Sequence, residues 1–276
     1  MTYYQCPLCA AALTLHASGK QYTCPQQHNF DLAKEGYLNL LPVQHKHSLE
    51  PGDNKQMLLA RREFLEAGHY APLAKAVAIM ITANHANDKT LRILDLGCGE
   101  GYYSRRLAEL LDKLTPLLHG VDIAKFAIAA AAKKQPEARF VVASTNRLPY
   151  IDHYFDLVLR VFAPSNANEL HRILKPAGLL LTVTPGPRHL WQLKELIYTD
   201  AREHMLEPAL AEGFSAIAKE RVQYQIIPTP AQRIALLHMT PFAWQANLTV
   251  EHILQSLEEL TIDVDFNVTL AKKIIS

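Results

Sequence analysis

From residue 91 onward, short apolar runs alternate with stretches whose apolar residues recur at helical spacing. The run LRILD (91–95) predicts a buried strand that enters the glycine-rich stretch 97–101, and a helix follows to residue 111. A second strand is predicted over 117–122, a helix over 124–134, a third strand over 139–143 and a fourth over 155–161. A helix containing 170–174 is ended by Lys175-Pro176-Ala177-Gly178, and a fifth strand covers 179–183. Strands of five to seven residues separated by helical stretches specify a doubly wound, mostly parallel α/β sheet with right-handed crossovers. In such sheets ligands bind at the carboxyl ends of the strands. Upstream, 55–65 has helical spacing, 66–70 reads as a helix end, and 72–82 is a second amphipathic helix. The polar stretch 44–54 reads as a loop. Its histidines and lysine suit an anionic ligand; a solvated linker explains them equally well.

Composition adds bounds rather than function. The chain has 276 residues, 49% hydrophobic and 20% charged, which allows one large domain and a small one. No apolar run approaches the ~20 residues of a membrane span. The start, Met1-Thr2-Tyr3-Tyr4-Gln5, carries neither a basic region nor an apolar signal core. A cytoplasmic protein is expected, where structural disulfides are uncommon. The net charge of +1 does not point to a polyanion, so any nucleic-acid reading must rest on local features.

Three of the four cysteines lie in the first 28 residues. Cys6 and Cys9 form C-x2-C; Cys24 and His28 form C-x3-H. Two close pairs of soft-to-borderline ligands suit tetrahedral zinc. Pro7 and Pro25 follow the first cysteine of each pair and favour preset turns. Between the pairs, 11–15 and 21–23 predict two short strands around a turn at Ser18-Gly19-Lys20. So small a unit buries little core, and a metal would supply its folding energy. Four protein ligands leave no open coordination position, which makes the zinc structural. A redox C-x-x-C or unrelated surface cysteines would not need the second pair with its matching proline.

The stretch ILDLGCGEG carries the strongest functional signal. Its glycines follow a strand and precede a helix, and they allow close backbone approach to a ligand. The dinucleotide pattern G-x-G-x-x-G fails because residue 102 is Tyr102. Asp122 ends the next strand, where a carboxylate can accept from both hydroxyls of a ribose. The set resembles the class I S-adenosylmethionine-dependent methyltransferases. That resemblance implies a Rossmann-like sheet and a cofactor site of Asp95, Gly97, Gly99, Glu100, Gly101 and Asp122. It also places Ser144 and Asn146, in ASTNRLPY, near the adenine, where the usual aspartate of the family is absent. RILKPAGLLL matches the helix, turn and fifth strand of the same family. A glycine turn without a ligand is the plain alternative, and Cys98 reads as a small core residue.

The peptides FDLAKEGYLNLLP, RREFLEAGHYAPL and TPGPRHL, with the zinc pattern, MTPFAW and DFNV, extend the resemblance over nearly the whole chain. They resemble the ribosomal RNA guanine-N1 methyltransferases that act on a large-subunit hairpin, nearer the Gram-negative branch than the macrolide-resistance branch. The resemblance implies an N-terminal zinc ribbon over 1–33, a linker and helical segment over 34–88, and the methyltransferase domain over 89–276. It further implies Tyr70 as a cofactor lid, target-base contacts at RVFAP after the fourth strand, and a homodimer whose ribbons embrace the hairpin. The cofactors expected are S-adenosylmethionine and one zinc; the partner expected is large-subunit rRNA. Candidates for RNA contact are Arg61, Arg62, Arg160 and Arg188, with Phe162 and Pro164 shaping the base pocket. His189 lies at the same rim, against cofactor or substrate, or simply at the start of a helix. Guanine N1 is buried in a base pair, so the target must be unpaired or flipped, and a base for its proton is expected but unidentified. A small-molecule methyltransferase would not need the ribbon. A catalytically dead RNA-binding module would not need Asp95, the three glycines and Asp122.

Overall fold

The computed structural model describes residues 2–42, 54–85, 90–204 and 210–274. Apart from Asn54, the polar stretch 44–54 lies outside the described residues. In chain order the elements are β1 (Thr14–Leu15), β2 (Gln21–Thr23), β3 (Asn29–Asp31), β4 (Leu38–Asn39), α1 (Lys55–Glu66) and α2 (Ala71–Asn84). Then come β5 (Arg92–Leu96), α3 (Tyr102–Leu110), β6 (Leu117–Asp122), α4 (Lys125–Lys134), β7 (Arg139–Val142), β8 (Phe155–Val161), α5 (Ala167–Ile173) and β9 (Leu174–Pro185). The chain finishes with α6 (Trp191–Ile197), β10 (Phe214–Ile226), α7 (Pro230–His238), α8 (Leu248–Ser256) and β11 (Ile262–Lys273).

Eight strands form the main sheet in the order β10-β11-β9-β8-β5-β6-β7-β4. The six from β9 to β4 are parallel, and β11 and β10 add an antiparallel hairpin. The apolar runs of β5 and β8 are buried on both faces, as central parallel strands must be. Odd positions such as Ile93, Leu157, Leu159 and Val183 pack into one core, under α1, α2, α3 and α7. Even positions such as Leu94, Leu96, Val158 and Leu180 pack into a second. The expected stop at Lys175–Gly178 is a bulge: Phe155 pairs with Leu174, Leu157 already with Leu179, and Ala177 turns left-handed between them. Asn54 caps α1 by accepting from the Met57 N–H at 2.9 Å.

The first strands build a three-stranded ribbon, with β3 added to the two strands expected. The following segment contributes β4 to the main sheet, parallel to β7. The ribbon shares the second core: Cys6, Leu13, Tyr22 and Cys24 pack with Leu94, Leu96, Val121 and Val141. Its N-terminal segment is pinned there by Gln5 N–H to Pro149 O at 3.0 Å and Ile151 N–H to Tyr3 O at 3.1 Å. Arg139 Nε also donates to Tyr3 Oη at 2.8 Å. No helix among the described residues is long and apolar enough to cross a membrane.

Candidate active site and zinc centre

In the ribbon, the ligand atoms of Cys6, Cys9, Cys24 and His28 lie within 4.8 Å of one another. Cys9 Sγ is 3.6 Å from Cys24 Sγ, and His28 Nδ1 is 3.6 Å from Cys6 Sγ and 3.4 Å from Cys24 Sγ. A tetrahedral zinc with Zn–S about 2.3 Å and Zn–N about 2.0–2.1 Å separates neighbouring ligand atoms by roughly 3.6–3.8 Å. The donor set therefore fits one structural zinc, and all three cysteines are free thiols. Each pair turns through a left-handed residue, Ala10 after Cys9 and Gln27 before His28. Burial opposes the Cys24 thiolate, but hydrogen bonds led by the His28 backbone N–H outweigh it and lower its pKa to about 7. A thiolate is what a metal needs.

The glycine loop connects β5 to α3 at the carboxyl edge of the sheet. Gly97, Gly99 and Gly101 all have positive φ, 72°, 52° and 72°. They are glycines for different reasons. A Cβ on Gly97 would stand 2.5 Å from the Ala163 Cβ, and one on Gly101 3.2 Å from the Ala131 Cβ. A Cβ on Gly99 would meet nothing within 4 Å, so the backbone there faces open space. Beside it, Asp122 Oδ2 accepts from the Gly99 N–H at 2.9 Å and Oδ1 from the Ala124 N–H at 2.8 Å. The carboxylate thus stands at the loop, at the end of β6. Ser144 and Asn146 form the turn after β7, the neighbouring strand, with Asn146 N–H donating to Ser144 Oγ at 3.2 Å. Asp95 is buried beneath the loop and accepts from Ser104 Oγ at 2.6 Å. Burial raises its pKa to about 6. It braces strand against helix.

Glu100 accepts from Arg62 through both carboxylate oxygens, from Nε and from Nη2, each at 2.5 Å. Arg61 Nη2 donates to Met239 O at 3.1 Å, tying α1 to the segment after α7. Arg188 bonds to Asp263 at 3.4 Å and lies over the Trp191 ring, while Arg160 is half-buried and donates to Ser165 Oγ. Each of these arginines holds protein to protein, whatever else it contacts.

A second group gathers around His189. Tyr70 Oη lies 3.4 Å from His189 Nε2, and the His189 ring packs against Phe266 at 4.7 Å and Phe162 at 5.7 Å. Phe162 has φ +53°, rare for a bulky residue, and 47% of it is exposed. Continuing β8 would send its side chain to the face of Val158; the left-handed turn brings it round to His189. Pro164 is exposed two residues on. Burial pushes the His189 imidazole down to about 3, so it is neutral.

Several residues that matter were not singled out from the sequence. Asp265 fixes the turn 185–190: it accepts from Arg188 N–H at 2.9 Å and from Arg221 at 2.9 and 2.8 Å. Gly186 is glycine because a Cβ there would fall 2.2 Å from Asp265 Oδ1. Tyr103, the second residue of α3, has a buried hydroxyl without a hydrogen-bond partner among the described residues. His119 on β6 is enclosed by Tyr3, Tyr4, Tyr150, Tyr154 and Phe155, and neither ring nitrogen has a partner.

A doubly wound sheet with an antiparallel terminal hairpin, an open glycine cradle beside a strand-end carboxylate, and a Cys3His cluster define a class I S-adenosylmethionine-dependent methyltransferase with a zinc ribbon. Residues 4–49 match the family described as RlmA, N-terminal, and residues 93–178 match a methyltransferase domain family. The chain is 33% identical over 280 residues to the Bacillus subtilis (strain 168) protein YxjB, provisionally named a 23S rRNA (guanine-N(1)-)-methyltransferase, covering 98% of this chain and 97% of that protein. It is 33% identical over 277 residues to the 23S rRNA (guanine(748)-N(1))-methyltransferase of Streptomyces fradiae, 96% of each. Similarity to the malonyl-[acyl-carrier protein] O-methyltransferase of Halorhodospira halophila (strain DSM 244 / SL1), 34% identical, covers only 37% of this chain and 38% of that one. The chain belongs to the 23S rRNA (guanine-N(1))-methyltransferase family.

Proposed function

We propose that this enzyme transfers a methyl group from S-adenosylmethionine to N1 of one guanine in a hairpin of 23S rRNA, working in the cytoplasm. The observation that carries the reading is similarity along 96% of the chain, ribbon and methyltransferase body together, to an enzyme named for that reaction. The bound cofactor supplies an electrophilic methyl on a sulfonium. The protein's work is to hold the acceptor in line with it. In this reading Gly97, Gly99 and Gly101 cradle the methionyl and ribose side, Asp122 takes the ribose hydroxyls, and Ser144 and Asn146 face the adenine. Tyr70 and His189 close the cleft. Phe162 and Pro164 bound the target base, supported by the exposed ring of Phe162 at the end of β8.

Arg61, Arg62, Arg160 and Arg188 line the approach for RNA, and the ribbon is a second grip, rigid because it shares a core with the sheet. A homodimer would pair two ribbons around the hairpin; exposed Trp244 and Leu248 offer apolar surface for such a contact. Light scattering of the purified protein tests that part. Incubation with labelled S-adenosylmethionine and separate large- and small-subunit rRNA, both unmodified, tests the whole: label should enter only the large-subunit RNA.

A further inference from the structure

The hydrogen bonds around His189 fix its tautomer. The Asp265 N–H donates to His189 Nδ1 at 3.3 Å, so Nδ1 presents its lone pair. A neutral ring must then carry its proton on Nε2, which faces Tyr70 Oη at 3.4 Å. Both nitrogens are committed, and burial disfavours a second proton, so His189 cannot take the proton of guanine N1. The carboxylates of the same rim are also engaged. Asp265 is held by Arg221 and Arg188 N–H, and Asp263 by Gln192, Gln225 and Arg188. Glu100 is held by Arg62.

Tyr70 Oη thereby accepts from His189, and its own proton has no acceptor among the described hydrogen bonds. Yet Tyr70 is only 3% exposed. A buried donor with an unfilled acceptor is expected where a ligand completes the set. The pair adjoins Phe162, the half-exposed ring on which a flipped purine can stack. The next residue, Ala163, touches the glycine loop at Gly97.

We propose that the Tyr70 hydroxyl, oriented by the Nε2–H of His189, donates to O6 of the target guanine and stabilises the charge that O6 gains as N1 is deprotonated. This rests on the guanine-N1 reading above. The N1 proton passes to water, and its bonding pair remains on the base, shared between N1 and O6. N1 then forms the bond to the methyl carbon, and the carbon–sulfur pair returns to sulfur. A donor at O6 makes N1 more acidic, which replaces a positioned base. The charged and titratable groups facing the pair are Arg61 and Tyr224 at Tyr70, and His204, Lys194 and Asp265 at His189.

The test is single-turnover methylation of unmodified 23S rRNA across a pH series, with cofactor and RNA affinities measured alongside. Tyr70→Phe should keep both affinities and lose about a hundred- to a thousandfold in rate at neutral pH, as removal of one such donor does. Its alkaline inflection should move up towards that of the free base, so the deficit narrows as pH rises. His189→Ala should behave alike, and His189→Gln, whose amide can donate from the Nε2 position, should recover part of the rate. An unchanged rate and profile in Tyr70→Phe overturns the proposal. So does a loss of cofactor affinity, which would assign the hydroxyl to the cofactor. A wild-type protein that puts no methyl on guanine N1 fails the functional reading itself, and that result is distinct from either.

Discussion

Alanine at Gly97 and at Gly99 should separate folding from cofactor binding. Both positions have left-handed backbone, which costs an alanine about 1–2 kcal/mol. At Gly97 the new methyl would stand 2.5 Å from the Ala163 Cβ, a side chain with nowhere to go. Overpacking of that kind adds about 1–3 kcal/mol, so Gly97→Ala should cost roughly 2–5 kcal/mol in all. At Gly99 the methyl enters open space, and only the backbone cost remains. For a chain of this size each kcal/mol lowers Tm by about 2–4 °C. Thermal melts should therefore place Gly97→Ala well below Gly99→Ala, and Gly99→Ala slightly below wild type. Calorimetric titration with S-adenosylmethionine should give the opposite emphasis: Gly99→Ala should fold yet lose at least about tenfold in affinity, ~1.4 kcal/mol. Wild-type affinity in Gly99→Ala would refute the assignment of this space to the cofactor.

Asp122→Ala should weaken cofactor binding by roughly 1.5–3 kcal/mol, the range for hydrogen bonds to a charged group; unchanged titration would remove Asp122 from the site. Cys24→Ser should abolish zinc, read by metal analysis, and should also lower the melting temperature of the whole chain, because Cys24 packs into the core shared with Leu96 and Val121. A ribbon that unfolds alone, with the main transition unmoved, would contradict this. Burial holds His119 and His189 at about 3 against an ordinary 6.5. Their folded pKa values are depressed, so the stability they permit is complete above 6.5 and is lost as pH falls towards 3. At pH 5 each should cost about 2 kcal/mol relative to pH 7, and His119→Phe should remove its share in urea unfolding. An identical pH slope in wild type and variant would show otherwise.

Five of the six parallel strands were legible because each carries a mainly apolar run beside helical stretches; β4, two residues in a segment read as linker, was not. The zinc ligands and the glycine loop were legible because their residues are close in sequence. The rest of the site is built across long separations. His189 meets Asp265 from 76 residues away, and Tyr70 from 119. Gly186 looks like any turn glycine until Asp265 is seen to fill the space beside it. The long β10–β11 hairpin was not assigned because β10 alternates exposed and half-buried residues rather than forming a run. The Arg62 partner of Glu100 was not legible, since only the fold brings the two together. His119 gave no signal: an isolated histidine in a strand does not reveal five aromatic neighbours. Nor does sequence show that the ribbon shares its core with the sheet.

The most direct measurement is nucleoside analysis of unmodified 23S rRNA after incubation with S-adenosylmethionine and wild-type protein, Gly99→Ala or Asp122→Ala. The wild-type reaction should yield 1-methylguanosine at a single position, and both variants should yield much less at limiting cofactor. Methyl groups on another atom or base, or none in the wild-type reaction, would contradict the account.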